Sequence, residues 1–381
     1  MYYYTSTIDT QVSLTENATL LHYYQLSGTD AGGKIYEYYY EYNDRGLLKK
    51  ETIDSSTIEY SYDDFGRPDK IIYNGSFNKV LKYDKDGNLT SASMDGYAPV
   101  NISYDNMGRK TQESWTIDGA IYSMGYAYDN VGNVTRITYP DGKTVDFSYY
   151  NDARNLIRNI PGLFGAAQTD GFVYNANGLT TAINYGNGLN NYKTYDNRAQ
   201  LTKNVYGISE THSNRKETSY SYSSAGNIQS VVDGFSSRTL AYNYDGVNRL
   251  ITADIPATAG VSEQTFTYDN AGNRVTDIQG QYLYTKYDLD TSPSYNNYTW
   301  GSYQQLESKT NRLNLILTKY EYTSDRLLGS IKEGGITKAT YTYDALGRRL
   351  KTVEGNTTTI TLYAGNDIVY EVKKEGTNPE I

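Results

Sequence analysis

The sequence predicts an all-β protein: a long antiparallel meander of β-hairpin repeats, coiled into a spiral that forms an open or partial shell or tube. Three observations lead there. The stretch "YSYDDFGRPDK" (Tyr60–Lys70) returns as "LKYDKDGNLTS" and then as "ISYDNMGRKTQ", about 21 residues apart. Tyrosine is extreme, at 44 of 381 residues, and aromatic side chains favour strands. A second turn signal falls between many copies, and two turns per repeat mean two strands per repeat.

Aligned on the leading tyrosine, thirteen copies begin at Tyr42, Tyr62, Tyr83, Tyr104, Tyr128, Tyr150, Tyr174, Tyr195, Tyr222, Tyr244, Tyr268, Tyr322 and Tyr343. They lie 20 to 27 residues apart, except for 54 between Tyr268 and Tyr322. That gap is expected to hold a degenerate copy ending at "TNRLNLI" (Thr310–Ile316), which echoes "VNRLITA" after Tyr244. Relative to the lead tyrosine, position +1 is Asp in eight copies and Asn in three. Position +4 is Gly in nine, +5 is Asn in five and Arg in four, and −2 is Tyr in seven.

Each preference has a physical reason. Position −2 and the lead tyrosine share one strand face. The +1 carboxylate can accept hydrogen bonds from backbone N–H groups of the turn. Glycine at +4 suits a left-handed residue, as in a type I turn closed by a bulge. Asn248 replaces it in one copy, and Asn is the next best residue with positive φ. Arg154, Ala199 and Arg326 break the rule, which predicts looser turns there. The signature is clearest in Tyr62, Asp63, Gly66; Tyr83, Asp84, Gly87; Tyr104, Asp105, Gly108; Tyr128, Asp129, Gly132; Tyr268, Asp269, Gly272; and Tyr343, Asp344, Gly347.

The second turns read Asn74-Gly75, Asp95-Gly96, Asp118-Gly119, Asp141-Gly142, Asn187-Gly188 and Asp233-Gly234. Thirteen hairpins imply roughly 26 strands and a sheet about 125 Å wide, far beyond the ~10 strands an open sheet usually holds. It must curl, and a closed loop of that contour would be about 40 Å across. Tyrosines paired as in Tyr60/Tyr62 or Tyr126/Tyr128 are expected to stack between neighbouring hairpins, with their hydroxyls in water. The whole chain, 1–381, reads as one array: flanking strands over 1–41, repeats over 42–362 and a terminal strand and tail over 363–381. Irregular insertions are expected near 158–170 and 288–310.

The pattern Y-D-x-x-G-[NR]-L resembles the YD repeat of the Rhs family. It stands in "YDDFGRP" (Tyr62–Pro68), "YDKDGNL" (Tyr83–Leu89), "YDNVGNV" (Tyr128–Val134), "YDNAGNR" (Tyr268–Arg274) and "YDALGRR" (Tyr343–Arg349). The resemblance covers about residues 36 to 370. Bacterial Rhs and wall-associated proteins, the B and C components of toxin complexes and the teneurins make up that family. It implies a secreted or cell-surface β-shell from a bacterium, which encloses or carries a polypeptide of its parent protein. Toxin-bearing members have a D-P-x-G-type motif after the repeats. Here no proline follows an Asp, so the self-cleaving site and toxin segment are expected to be absent and the shell partial.

Composition narrows the function classes. Net charge is −9 with no basic run, against a nucleic-acid partner. No apolar run approaches 18 residues, against membrane insertion by a helix, and no signal-peptide pattern opens the chain. Cysteine is absent and the two histidines, His22 and His212, stand outside the signatures, so neither catalysis nor a cofactor or metal is expected. Asp63-Asp64 could form a carboxylate dyad only across a cleft. "DKDGN" (Asp84–Asn88) and "DLD" (Asp288–Asp290) look like calcium loops, but turn chemistry accounts for Asp84. The rival to a structural role is carbohydrate binding by exposed tyrosine ladders, with a surface glycan as partner. Sugar-binding aromatic repeats lean on tryptophan, and only Trp115 and Trp300 exist, at positions unrelated to the repeat.

Overall fold

The computed structural model describes residues 23–29, 35–53, 56–151, 156–164, 170–208, 216–254, 263–277, 280–281, 296–301 and 305–376. Among them it has 34 strands and no helix. Neighbours within each sheet are consecutive in sequence and pair antiparallel, so the fold is an all-β meander of hairpins. The strand count exceeds the predicted figure because flanking and inserted segments also form strands and two strands are interrupted, at Phe147 and Phe266. Side chains alternate as the pattern requires. Tyr60 and Tyr62 are half-buried on one face and Ser61 is exposed on the other, and Tyr220, Ser221 and Tyr222 repeat this.

The chain forms two compact units, Met1–Met124 with Leu283–Ile381, and Gly125–Tyr282. The first has a dry core in which Val100, Trp115, Met124, Leu350 and Leu362 are fully buried. In the second, Val205 and Ala253 are buried, and Phe164 anchors the segment near 158–170. The Phe164 ring packs edge-on to Phe172 at 4.7 Å and lies 5.6 Å from Tyr185. The segment near 288–310 holds the strand Asn296–Trp300 and the start of Leu306–Asn311.

Two copies sit differently from the tyrosine alignment. Tyr149, not Tyr150, takes the lead register, opposite Ile157. The copy missing between Tyr268 and Tyr322 is led by Trp300, opposite Leu306. Trp300 is therefore a repeat residue after all, an indole filling the ring position that tyrosine usually fills. The stretch Asn311 to Ile316 is instead a turn on the other edge of the meander, closed by Leu315 N–H donating to the Asn311 carbonyl at 2.8 Å.

The glycine-free turns are not looser. Ala199 and Arg326 take left-handed φ values of +63° and +71°, and their N–H groups close the same turn, to Asp196 and Thr323. Asn248 does likewise at +66°. Five residues of fixed hydrogen bonding hold the turn even where the backbone is strained. Arg154 lies outside the described residues.

Candidate functional site

The lead turn is built alike in copy after copy. In residues 63–67, Gly66 N–H donates to the Asp63 carbonyl at 3.0 Å, and Asp63 N–H to the Arg67 carbonyl at 2.9 Å. Asp63 Oδ1 accepts from the N–H groups of Phe65 and Arg67, both at 2.9 Å, and Oδ2 from Arg67 Nε at 2.6 Å. Gly66 sits at φ +83°, where a Cβ would be strained. Asp84, Asp105, Asp129, Asp245 and Asp344 use both oxygens in the same way. In the Tyr268 copy, Asp269 accepts from Asn273 N–H and Nδ2, and Gly87, Gly108, Gly132, Gly272 and Gly347 share the positive φ. The donated bonds hold three of these carboxyls below their ordinary range, chiefly the Asn88 amide at Asp84, the Asn133 amide at Asp129 and the Arg109 backbone N–H at Asp105.

Position +5 alternates between Arg and Asn because both reach Oδ2 of the +1 aspartate. Asn88 does so at 2.9 Å and Asn133 at 2.8 Å. Arginine reaches further, to the lead tyrosine of the next copy. The guanidinium carbon of Arg67 lies 4.5 Å from the centre of the Tyr83 ring, and that of Arg249 lies 4.7 Å from Tyr268. Arg249 also donates to the Asp269 carbonyl at 3.1 Å.

The lead tyrosine carries a contact that side-chain statistics do not reveal. Tyr62 Oη donates to the Leu48 carbonyl at 2.7 Å, and Leu48 is the residue opposite Tyr42, the lead of the preceding copy. Tyr83 reaches Pro68, opposite Tyr62, and Tyr104 reaches Leu89, opposite Tyr83. The same relation holds for Tyr149, Tyr174, Tyr195, Tyr222, Tyr244, Tyr268, Tyr322, Tyr343 and Tyr363. Between hairpins the backbone ladder stops early. Lys50↔Glu59 is the last pair before Leu48, and Lys70↔Val80 the last before Pro68. The strands splay toward the lead turn, and the hydroxyl satisfies a carbonyl that the ladder leaves open. This corrects the expectation that the hydroxyls face water. Among the described residues, tyrosine rings of neighbouring hairpins meet at Tyr150–Tyr174 and Tyr97–Tyr343, 6.1 and 6.3 Å apart, and arginines cover several other rings.

Within the first unit the meander returns on itself along a seam. Trp115 Nε1 donates to Asp344 Oδ2 at 3.1 Å, across 229 residues of sequence. Arg348 bonds Glu113 at 2.5 Å and Asp344 at 2.7 Å, and both carboxylates are buried. Ala98 and Asp344 form a parallel bridge, with Ala98 N–H donating to the Tyr343 carbonyl and Ala345 N–H to the Ala98 carbonyl, each at 3.0 Å. Arg326 pairs with Glu51 at 3.2 Å, Lys351 with Asp118 at 2.5 Å, and Tyr97 Oη donates to Asp325. The lead-turn edge of the late strands thus meets the opposite turn edge of the early ones.

No protein-family model and no curated protein sequence matches the chain. Solved structures do. The TcdB2–TccC3–Cdc42 crystal structure superposes with a TM-score of 0.56 at 13% identity, covering 94% of this chain and 23% of that one. The Photorhabdus luminescens Tc holotoxin pore with a TccC3 mutation matches at 0.56 and 14%, covering 94% and 24%. The TcdB2–TccC3–TEV structure matches at 0.54 and 13%, covering 93% and 23%. The chain has the TcdB2–TccC3 fold. It spans about a quarter of the length of those chains.

The candidate chemistries resolve into turns. Both Asp84 oxygens are taken by the Asp84–Asn88 turn, and Asp63 of the Asp63-Asp64 pair is engaged in the same way. Among the described residues no three His, Cys, Asp or Glu side chains are grouped to hold a metal. His22, His212 and Asp288–Asp290 lie outside the described residues. The first unit also holds a polar cleft of about 750 Å³, lined by Asn74, Gln305, Glu307, Tyr320, Glu321 and Tyr322 among others.

Proposed function

We propose that the chain is a non-catalytic structural module of a bacterial secreted or cell-surface YD-repeat protein. It serves as a scaffold, a β-shell that encloses a polypeptide of its parent protein or presents a surface for contact. The observation that carries this reading is the seam, which turns a row of hairpins back on itself and buries ionic pairs to do so. The fold it shares with TcdB2–TccC3 supports it, since structures of that fold are described with Cdc42 and with TEV. Tyr62, Asp63, Gly66 and their equivalents then belong to the frame, and residues 1–381 act as one array without a cofactor. The test is protease protection. An unstructured peptide fused to the C-terminus should outlast the free peptide, and Arg348→Ala should remove that protection. Cleavage at the free-peptide rate with the chain intact would rule out enclosure.

A second reading, carbohydrate binding, has the polar cleft in its favour, with two phenol rings and two carboxylates on its wall. The lead tyrosines speak against the ladder form of that reading, because they are half-buried with their hydroxyls bonded to backbone. Binding on a glycan array that Tyr320→Ala abolishes would favour it over the shell.

A further inference from the structure

We propose that the ion pairs Glu51–Arg326 and Glu113–Arg348 are a code that fixes which early hairpins the late lead turns rest on. They select the register of the seam and add little to its net strength. The other seam contacts cannot make that selection. The bonds between Ala98 and residues 343–345 run from backbone to backbone, and any hairpin of the repeat can offer those groups. The cluster of Ala92, Met94 and Ala345 is apolar, and apolar burial is not directional.

The residue nine places after the lead tyrosine carries the code. It stands opposite position −2, as Ile71 does opposite Tyr60 and Ala92 opposite Leu81, and it is Ile, Val or Ala in seven copies. In the Tyr42 and Tyr104 copies it is Glu51, opposite Tyr40, and Glu113, opposite Ile102. Two glutamates thus occupy aliphatic positions, and Glu113 is 1% exposed. Each meets an arginine of a late lead turn, Arg326 at 3.2 Å and Arg348 at 2.5 Å. Arg326 is equally out of place, at φ +71° where nine copies carry glycine. Each departure is unfavourable alone and is offset by the other. Desolvating a buried pair costs about what its attraction returns, whereas a buried charge without its partner is strongly unfavourable. A seam slipped by one hairpin would set Arg348 against Ala92 and leave Glu113 alone.

The chain's own residues report the register, whatever the shell encloses. Lys351 meets Asp118 across the seam at 2.5 Å, and Asp95 is the counterpart of Asp118 in the second turn one hairpin earlier. A zero-length carbodiimide joins an amine to a carboxylate that it touches, and mass spectrometry identifies the joined peptides. The wild type should give the Lys351–Asp118 product and no Lys351–Asp95 product. The variant Glu51→Ile, Glu113→Ile, Arg326→Gly, Arg348→Asn puts a residue common in the repeat at each position. Asn at 348 can still serve Asp344, as Asn88 serves Asp84. This variant should melt close to the wild type and yet give the Lys351–Asp95 product beside the other. A variant that keeps the Lys351–Asp118 product alone would overturn the proposal, since the other contacts would then set the register unaided. One that melts far below the wild type would overturn it too, since the pairs would then serve stability. A wild type without the Lys351–Asp118 product would overturn the seam itself, and with it the enclosing shell.

Discussion

The Tyr83 hydroxyl donates to the Pro68 carbonyl at 2.9 Å, and Pro68 stands opposite Tyr62, the lead tyrosine one copy earlier. This explains tyrosine where phenylalanine would pack as well. Tyr83→Phe is expected to destabilise the protein by about 1 kcal/mol, the usual net worth of one hydrogen bond. Tyr83→Ala should cost about 3 kcal/mol, the low end for truncating an aromatic, because the ring is only half-buried. Urea midpoints would show both. A phenylalanine variant as stable as the wild type would deny the hydroxyl its role.

Arg348→Ala leaves Glu113 and Asp344 buried without their shared partner. A loss of about 3–5 kcal/mol is expected. Arg348→Lys should recover little of it, since one ammonium cannot take both carboxylates in the guanidinium geometry. Arg67→Ala, which leaves a half-exposed Asp63, should cost clearly less in thermal denaturation.

At Gly132, φ is +99° and an added Cβ would meet nothing within 4 Å, so the penalty is conformational alone. Gly132→Val should cost roughly 1–2 kcal/mol and Gly132→Asn less. Lys143→Ala, whose ion pair with Asp141 is largely exposed, should stay within about 1 kcal/mol of wild type. Equal melting points for Gly132→Val and Lys143→Ala would contradict the left-handed assignment.

Stability should fall at both ends of the pH scale. The turn carboxyls of Asp84, Asp105 and Asp129 titrate below their unfolded value of 3.8, so their contribution is present above that value. It disappears as pH drops through the lower folded value. Burial raises the Tyr62, Tyr83, Tyr104 and Tyr343 phenols above 10.0, and charged neighbours add smaller effects at the last three. Their contribution is complete below 10.0 and is lost as pH rises through the higher folded values. Melting temperature against pH should be flat between these limits. Phenolate absorbance of the stitched tyrosines should appear together with alkaline unfolding. Free titration near pH 10 in the folded protein would contradict the stitches.

The lead turn was legible in the sequence because its chemistry is local. Asp63 and Arg67 sit four residues apart, and thirteen copies of the pattern make the preference visible. The stitch was not legible, because its acceptor is a backbone carbonyl and any residue can supply one: Leu48, Pro68 and Thr180 all serve. The expectation of hydroxyls in water came from the open shell, and nothing in the sequence marks that the strands part before the lead turn. Asp344 looks like every other +1 aspartate, and it is set apart by its encounters with Trp115 and Ala98, which lie far away in the sequence. Trp300 was not legible because its indole stands where the repeat otherwise carries a phenol ring.

The tyrosine stitch also works as a phase reset. Tyr62 finds its carbonyl 14 residues back and Tyr222 finds the equivalent one 21 residues back. Whatever length the intervening loop has, the next hairpin is set against the last by the same bond. Loops on that edge can lengthen or shorten in evolution, or accept an engineered insert, without passing a register error down the chain.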